Sequence, residues 1–159
     1  MRGNVDRPDD SGETPADHAS PRPLRHVHIV DDDAVVCTAL GRLLRAAGYA
    51  VATFEGGQDF LARRTALAEP DCIVLDVFMP TLSGLAVQRA LLEQRSGAAL
   101  VFLSGRSDIA EIEDQVLKNG AFALLGKPVD EGVLLDTLAA AIRSRHAALN
   151  GTAPSPGRA

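Results

Sequence analysis

The sequence predicts an α/β fold: a parallel five-stranded sheet with helices on both faces. Three observations carry this. Short apolar runs alternate five times with longer segments whose apolar residues recur at helical spacing. The runs are nearly continuously apolar, as expected of strands covered on both faces. Each run leads into a helical segment, so each strand returns through a crossover and pairs in parallel.

The elements follow in order. Val27–Val30 is a strand ending at Asp31. Val35, Val36, Ala39, Leu40, Leu43, Leu44 and Ala47 lie on one helical face, and Gly48 is a natural stop. Asp33 is placed to cap that helix. Ala50–Phe54 is the second strand, followed by a weaker helix from Gln58 to Ala68. Cys72–Leu75 is a strand ending at Asp76, and Leu85, Leu91 and Leu92 belong to the next helix. Leu100–Leu103 ends at Ser104, and residues 108–118 form a helix stopped by Asn119 and Gly120. Phe122–Leu125 is the fifth strand and residues 130–146 the fifth helix.

The chain has 159 residues, which suits one domain, and 46% hydrophobic with 23% charged residues suits an ordinary core. Residues 1–24 hold four prolines, five acids and three arginines, and read as a disordered tail. Residues 149–159 read the same way, which leaves 25–148 as the folded domain. The formal net charge of -5 argues against a nucleic-acid surface, so direct DNA binding is not expected. No apolar run is long enough to span a bilayer, and no secretion signal is legible, so a cytoplasmic setting is expected. Cys37 and Cys72 sit inside apolar runs without metal-ligand spacing and read as buried thiols. Lys118 and Lys127 are the two lysines among sixteen basic residues. A lysine kept in an arginine-rich chain hints at a site that wants a compact ammonium.

The polar residues that end the strands are the informative ones. Strand 1 ends in Asp31-Asp32-Asp33, strand 3 in Asp76 and strand 4 in Ser104, and Lys127-Pro128 follows strand 5. In open parallel sheets, ligands bind beyond the carboxyl ends of strands where the strand order reverses. In a flavodoxin-like order, 2-1-3-4-5, that point lies between strands 1 and 3, which both end in carboxylates. The order is taken here as the frame, because periodicity does not reveal it. Carboxylates from Asp31, Asp32 and Asp76 crowded together would push at least one toward its neutral form. A hard divalent cation relieves that crowding, and magnesium suits few carboxylates, several waters and a phosphate oxygen. Asp76 can then act as a nucleophile that forms an acyl phosphate. Ser104 can bond a phosphoryl oxygen, and Lys127 can supply a fixed positive charge.

At these residues the chain resembles the CheY-like receivers of two-component response regulators. Val74-Leu75-Asp76-Val77-Phe78-Met79-Pro80-Thr81-Leu82-Ser83-Gly84 is similar to the family's hydrophobic-Asp-x-x-Met-Pro-x-x-x-Gly stretch. Val27-His28-Ile29-Val30-Asp31-Asp32-Asp33 resembles its first strand and acidic pair, especially in FixJ-type receivers. Phe102-Leu103-Ser104-Gly105 resembles its Ser/Thr strand, and Lys127-Pro128 its Lys-Pro step. The resemblance covers residues 25–146. It implies that Asp31 and Asp32 bind magnesium, that Asp76 is acceptor and ligand, and that the Phe78 backbone carbonyl is a further ligand. It implies that Ser104 and Lys127 meet the phosphoryl group, and that the Lys127–Pro128 bond is cis. It implies a sensor histidine kinase or phosphotransfer protein as donor, and an output partner at the face of helix 4, strand 5 and helix 5. A phosphorylation-dependent homodimer is a further expectation. With 32 residues after Lys127, no output domain of its own is expected. The chain departs from the family at Leu124, where Tyr or Phe is usual, with Phe122 as a candidate substitute two residues earlier. The resemblance implies that Phe78 and Arg106 hold the variable positions that tune the lifetime of the phosphoryl group.

Other functions compete. An aspartyl-nucleophile phosphatase would want a second acid two residues after Asp76, and Phe78 stands there. The expectation is therefore a phosphoacceptor and not a turnover enzyme. A receiver-shaped module that binds partners without phosphorylation, or a phosphate sink, is the alternative. A flavin-binding protein would want a hydroxyl- and Gly-rich loop after strand 1, where three acids stand. Taken singly, an Asp at a strand end, a lone Ser and a lone Lys are more often structural. Arg42, Arg45, Arg63, Arg64, Arg143 and Arg145 read most simply as solvated helix faces.

Overall fold

A computed structural model describes residues 24–105 and 110–151. The expected tails, and Arg106, lie largely or wholly outside the described residues. Within them the order is β1 (His26–Val30), α1 (Ala34–Ala46), β2 (Ala50–Phe54), α2 (Gly57–Arg64), β3 (Cys72–Asp76), α3 (Gly84–Glu93), β4 (Ala99–Ser104), α4 (Ala110–Lys118), β5 (Ala123–Gly126) and α5 (Glu131–Leu149). The strands form one parallel sheet of order β2-β1-β3-β4-β5, the expected flavodoxin-like arrangement.

Two cores sandwich the sheet, because alternate strand residues point to opposite faces. Val27, Ile29, Val74, Val101 and Leu103 pack with Leu40 and Leu44 of α1 and Leu134, Leu138 and Ile142 of α5. Val30, Phe54, Ile73, Leu75 and Phe102 pack with Phe60 of α2, Val87 and Leu91 of α3 and Val116 of α4. Asp33, Ser83 and Asp130 cap α1, α3 and α5 by accepting from Val35, Ala86 and Val133 backbone N–H groups.

Three boundaries differ from the sequence expectation. α2 stops at Arg64 because the next N–H groups bond three residues back, Ala66 to Arg63 and Leu67 to Arg64, and tighten the chain into a turn. Phe122 lies outside β5, although its N–H still donates to the Leu100 carbonyl. α5 continues three residues past His146, to Leu149, and Gly151 then takes a positive φ.

Candidate functional site

The site lies where the strand order reverses. Val30 pairs with Leu75 across β1 and β3, so the next residues, Asp31 and Asp76, emerge side by side. Adjacent strands are about 5 Å apart, which sets the scale of the gap between them. One carboxylate oxygen from each of Asp31, Asp32 and Asp76 lies within 4.8 Å of the other two. Asp31 and Asp76 are buried, and Asp32 is exposed at the mouth.

β4 and β5 bring the other two residues. Ser104 pairs with Gly126, and the Lys127 N–H donates to the Ser104 carbonyl at 2.7 Å. Ser104 is buried at the end of β4. The Lys127–Pro128 bond is cis, as the family resemblance implied. Lys127 Nζ donates to Asp31 Oδ2 at 2.7 Å and lies 3.4 Å from Asp76 Oδ1. The second Asp31 oxygen accepts from the Asp33 N–H at 3.0 Å. The five predicted residues therefore lie at one end of the sheet, with Asp31, Asp32, Asp76 and Lys127 gathered together. Phe78 sits two residues beyond Asp76, half-buried, with its ring packed on the α2–α4 core.

The electrostatics match the crowding expected from sequence. Burial pushes the Asp76 carboxyl up to about 6, the Asp31 charge adds to this, and Lys127 opposes it. Burial also works against the Lys127 ammonium. Its bond to Asp31 and the Asp76 charge outweigh that, and the net shift is upward. One lysine thus serves two carboxylates and leaves a third nearby. Three hard oxygen donors with incomplete compensation fit a magnesium ion, through Asp31, Asp32 and Asp76.

Some readings change. Leu124 is buried in the core beside α4. Phe122 is 40% exposed and pairs at the level of Leu100, four residues before Ser104. At about 3.3 Å per residue that is roughly 13 Å away, so Phe122 does not replace the missing aromatic. Arg64 and Arg145 are not solvated. Arg64 donates to Glu69 at 2.8 Å, and Arg145 donates to Asp71 at 2.9 Å and to the Gly97 carbonyl at 2.7 Å. Sequence reading also missed two buried polar residues, His28 and Gln88. Their polarity inside apolar, periodic segments was the available signal.

Fold and site together define a class: a small doubly wound domain with an acidic cluster and a lysine gathered at the carboxyl ends of its strands. The chain matches the family model for the response regulator receiver domain over residues 27–139, and it belongs to that family. It is 40% identical over 116 residues to the transcriptional regulatory protein TdiR of Thauera aromatica, covering 73% of this chain and 50% of TdiR. It is 31% identical over 128 residues to the transcriptional regulatory protein FixJ of Bradyrhizobium diazoefficiens, covering 80% of this chain and 62% of FixJ. The chain thus spans about half to three fifths of the length of these relatives. A response regulator receiver domain from Clostridium thermocellum superposes with a TM-score of 0.73 at 28% identity, covering 79% of this chain and 99% of that one.

Proposed function

We propose that this chain accepts a phosphoryl group on Asp76 from a phosphohistidine donor and signals through a changed protein-binding surface. The observation that carries the reading is the convergence of Asp31, Asp32 and Asp76 within 4.8 Å beside Lys127. An Asp76 oxygen attacks the donor's phosphorus as the bond from phosphorus to the histidine nitrogen breaks, and the imidazole leaves with that electron pair. Asp31, Asp32, Asp76 and the Phe78 carbonyl would hold magnesium, which would offset charge on the phosphoryl oxygens. Lys127, now shared between Asp31 and Asp76, would turn to a phosphoryl oxygen once Asp76 carries the acyl phosphate. The Ser104 hydroxyl would donate to another oxygen.

Family membership supports a phosphoacceptor that is not a turnover enzyme. The donor would be a sensor histidine kinase or its phosphotransfer protein. The output would be a protein contact at the face of α4, β5 and α5, with a phosphorylation-dependent homodimer as one form of it. The buried, unpaired thiols of Cys37 and Cys72 suit a cytoplasmic setting. Among the described residues, no helix is long and apolar enough to cross a membrane. TdiR and FixJ are named as transcriptional regulators and are longer. The described residues correspond to a receiver, and DNA contact is not part of this proposal.

Incubation with acetyl phosphate and magnesium, read by intact mass, tests the chemistry. One added phosphoryl group, lost in Asp76→Asn and in EDTA, is expected. No gain from acetyl phosphate or from a phosphorylated histidine kinase would favour the phosphorylation-independent binding module. Buried Leu124 in place of an aromatic is the observation that keeps that second reading in play.

A further inference from the structure

Gln88 lies in the middle of α3 and is 1% exposed. Its Nε2 donates to the Val116 carbonyl in α4 at 2.9 Å. Only the nitrogen end of the amide can donate to a carbonyl, which settles the orientation of the group. Its Oε1 has no hydrogen-bond partner among the described residues. A buried glutamine with half its amide unpaired is costly compared with an apolar residue of the same size.

The carbonyl it contacts is a special one. Val116 also accepts from the Ala121 N–H at 2.9 Å, and the Gly120 N–H donates to the Leu117 carbonyl at 3.0 Å. With Gly120 at φ 98°, this is the left-handed turn that ends α4. Gln88 therefore adds a third member to the C-terminal cap of α4. That helix has little else to hold it. Val116 is its sole fully buried described side chain, whereas α3 and α5 each bury four residues. A segment with few buried contacts opens at low free energy.

The other end of the connection reaches the phosphoacceptor. α3 begins at Gly84, whose N–H donates to the Val77 carbonyl at 2.8 Å. A Cβ on Gly84 would overlap the Asp76 carbonyl oxygen, so the start of α3 rests on the Asp76 peptide. Gln88 stands one helical turn further on. A rigid path thus runs from the Asp76 peptide through the first turn of α3 to the C-terminal cap of α4.

We propose that Gln88 is a positioning residue that ties the C-terminal end of α4 to the phosphoacceptor loop, so that a change at Asp76 is felt at Asn119–Ala121. This rests on the phosphoacceptor reading of Asp76. The free Oε1 gives the tether a second arrangement, since it can accept from a backbone N–H of the α4 cap when that turn shifts.

Amide exchange by NMR on the whole chain tests this, in wild type and Gln88→Met, which keeps length and removes both polar atoms. In metal-free protein, exchange at Asn119, Gly120 and Ala121 should quicken roughly fivefold to tenfold in the variant, about the worth of one net hydrogen bond. The amides of α3 and β4 should be unmoved. No acceleration at those three positions overturns the tether, whatever Asp76 does. Loading with magnesium and beryllium fluoride, a stand-in for an aspartyl phosphate, should then perturb these three amides in wild type and not in the variant. An equal response in both, or none in loaded wild type, also overturns it. Absence of bound fluoride by 19F NMR counts against the phosphoacceptor reading, and the metal-free arm still decides the tether. The Gln88 side-chain amide gives a second readout in unmodified protein. It should be protected from exchange and should shift on loading, and a fast-exchanging, unmoved amide refutes the proposal even if Gln88→Met fails to fold.

Discussion

Replacing Asp76 with asparagine should stabilise the metal-free protein at neutral pH, although it removes the proposed phosphoacceptor. In the folded chain Asp76 titrates near 6 instead of 3.8, first because it is buried and second because Asp31 is close. A raised carboxyl pKa means that the native state holds its proton over a range where the unfolded chain has lost it. Its contribution to stability is therefore full below about 3.8 and is lost as pH rises through about 6. Two pH units are worth about 3 kcal/mol, so ionised Asp76 destabilises the fold by up to about 3 kcal/mol at pH 7. At pH 5 the effect falls to about 1.5 kcal/mol, and at pH 4 to about 0.5 kcal/mol. The amide that replaces the carboxyl has no charge to bury. For a domain of this size, about 2–4 °C per kcal/mol predicts a melting temperature roughly 6–12 °C above wild type at pH 7 in EDTA. The gap should shrink steadily between pH 6 and pH 4. Millimolar magnesium should close part of it, because the ion binds the native wild-type site and raises wild-type stability by mass action. Thermal melts by circular dichroism across pH 4–7.5, with EDTA or magnesium, measure all of this. An Asp76→Asn protein no more stable than wild type at pH 7, or a gap independent of pH, would refute the electrostatic account of the site.

Other consequences are equally direct. Lys127→Met leaves the buried Asp31 and Asp76 without their shared ammonium, and should destabilise the protein by roughly 2–4 kcal/mol in urea titration at pH 7, much of it recovered in the Asp76→Asn/Lys127→Met double variant. Gly84→Ala forces a methyl against the Asp76 carbonyl, and should cost about 1–3 kcal/mol while slowing acetyl phosphate uptake at least as much as it perturbs the fold. The His28 ring is buried between Phe54 and Phe60, and burial, reinforced by the Arg64 charge, lowers its pKa to about 4. The unfolded chain takes up that proton below about 6.5 and the native chain does not. His28 therefore removes up to about 3 kcal/mol as pH falls from 6.5 to 4, and the pH dependence of wild type minus His28→Leu should display that slope. Phe78 stands two residues after Asp76 and is half-buried against the core, and Phe78→Ala or Phe78→Asn should speed loss of the phosphoryl group if its bulk shields the site. An unchanged decay of phosphorylated protein by mass would rule out a shielding role.

The legibility of this chain followed the range of each interaction. Period-two and period-3.6 patterns are local, so strands such as Ala50–Phe54 and helices such as α1 were readable to within a residue or two. The end of α2 was misplaced because Ala66–Ala68 carry the apolar pattern onward while their backbone turns away. Strand-end residues Asp31, Asp76, Ser104 and Lys127 were legible as candidates because they end neighbouring strands together and in order, although each alone would read as structural. Arg145 was misread because its partner, Asp71, is 74 residues away, and Arg64 because its partner, Glu69, lies five residues on, beyond a helix end that the apolar pattern had carried too far.

By itself, the sequence determined the alternation of five strands and five helices, the caps at Asp33 and Gly120, and the set of polar residues delivered to the carboxyl edge. Those depend on neighbours a few positions apart. Only the tertiary structure decided that Lys127 meets Asp31, 96 residues away, and that Phe122 stands too far from Ser104 to serve it. It alone placed Gln88 under the end of α4. Such pairings follow from strand order and helix docking, in which many weak contacts act together. No local pattern encodes them, because the energy that selects them exists only once the sheet has formed.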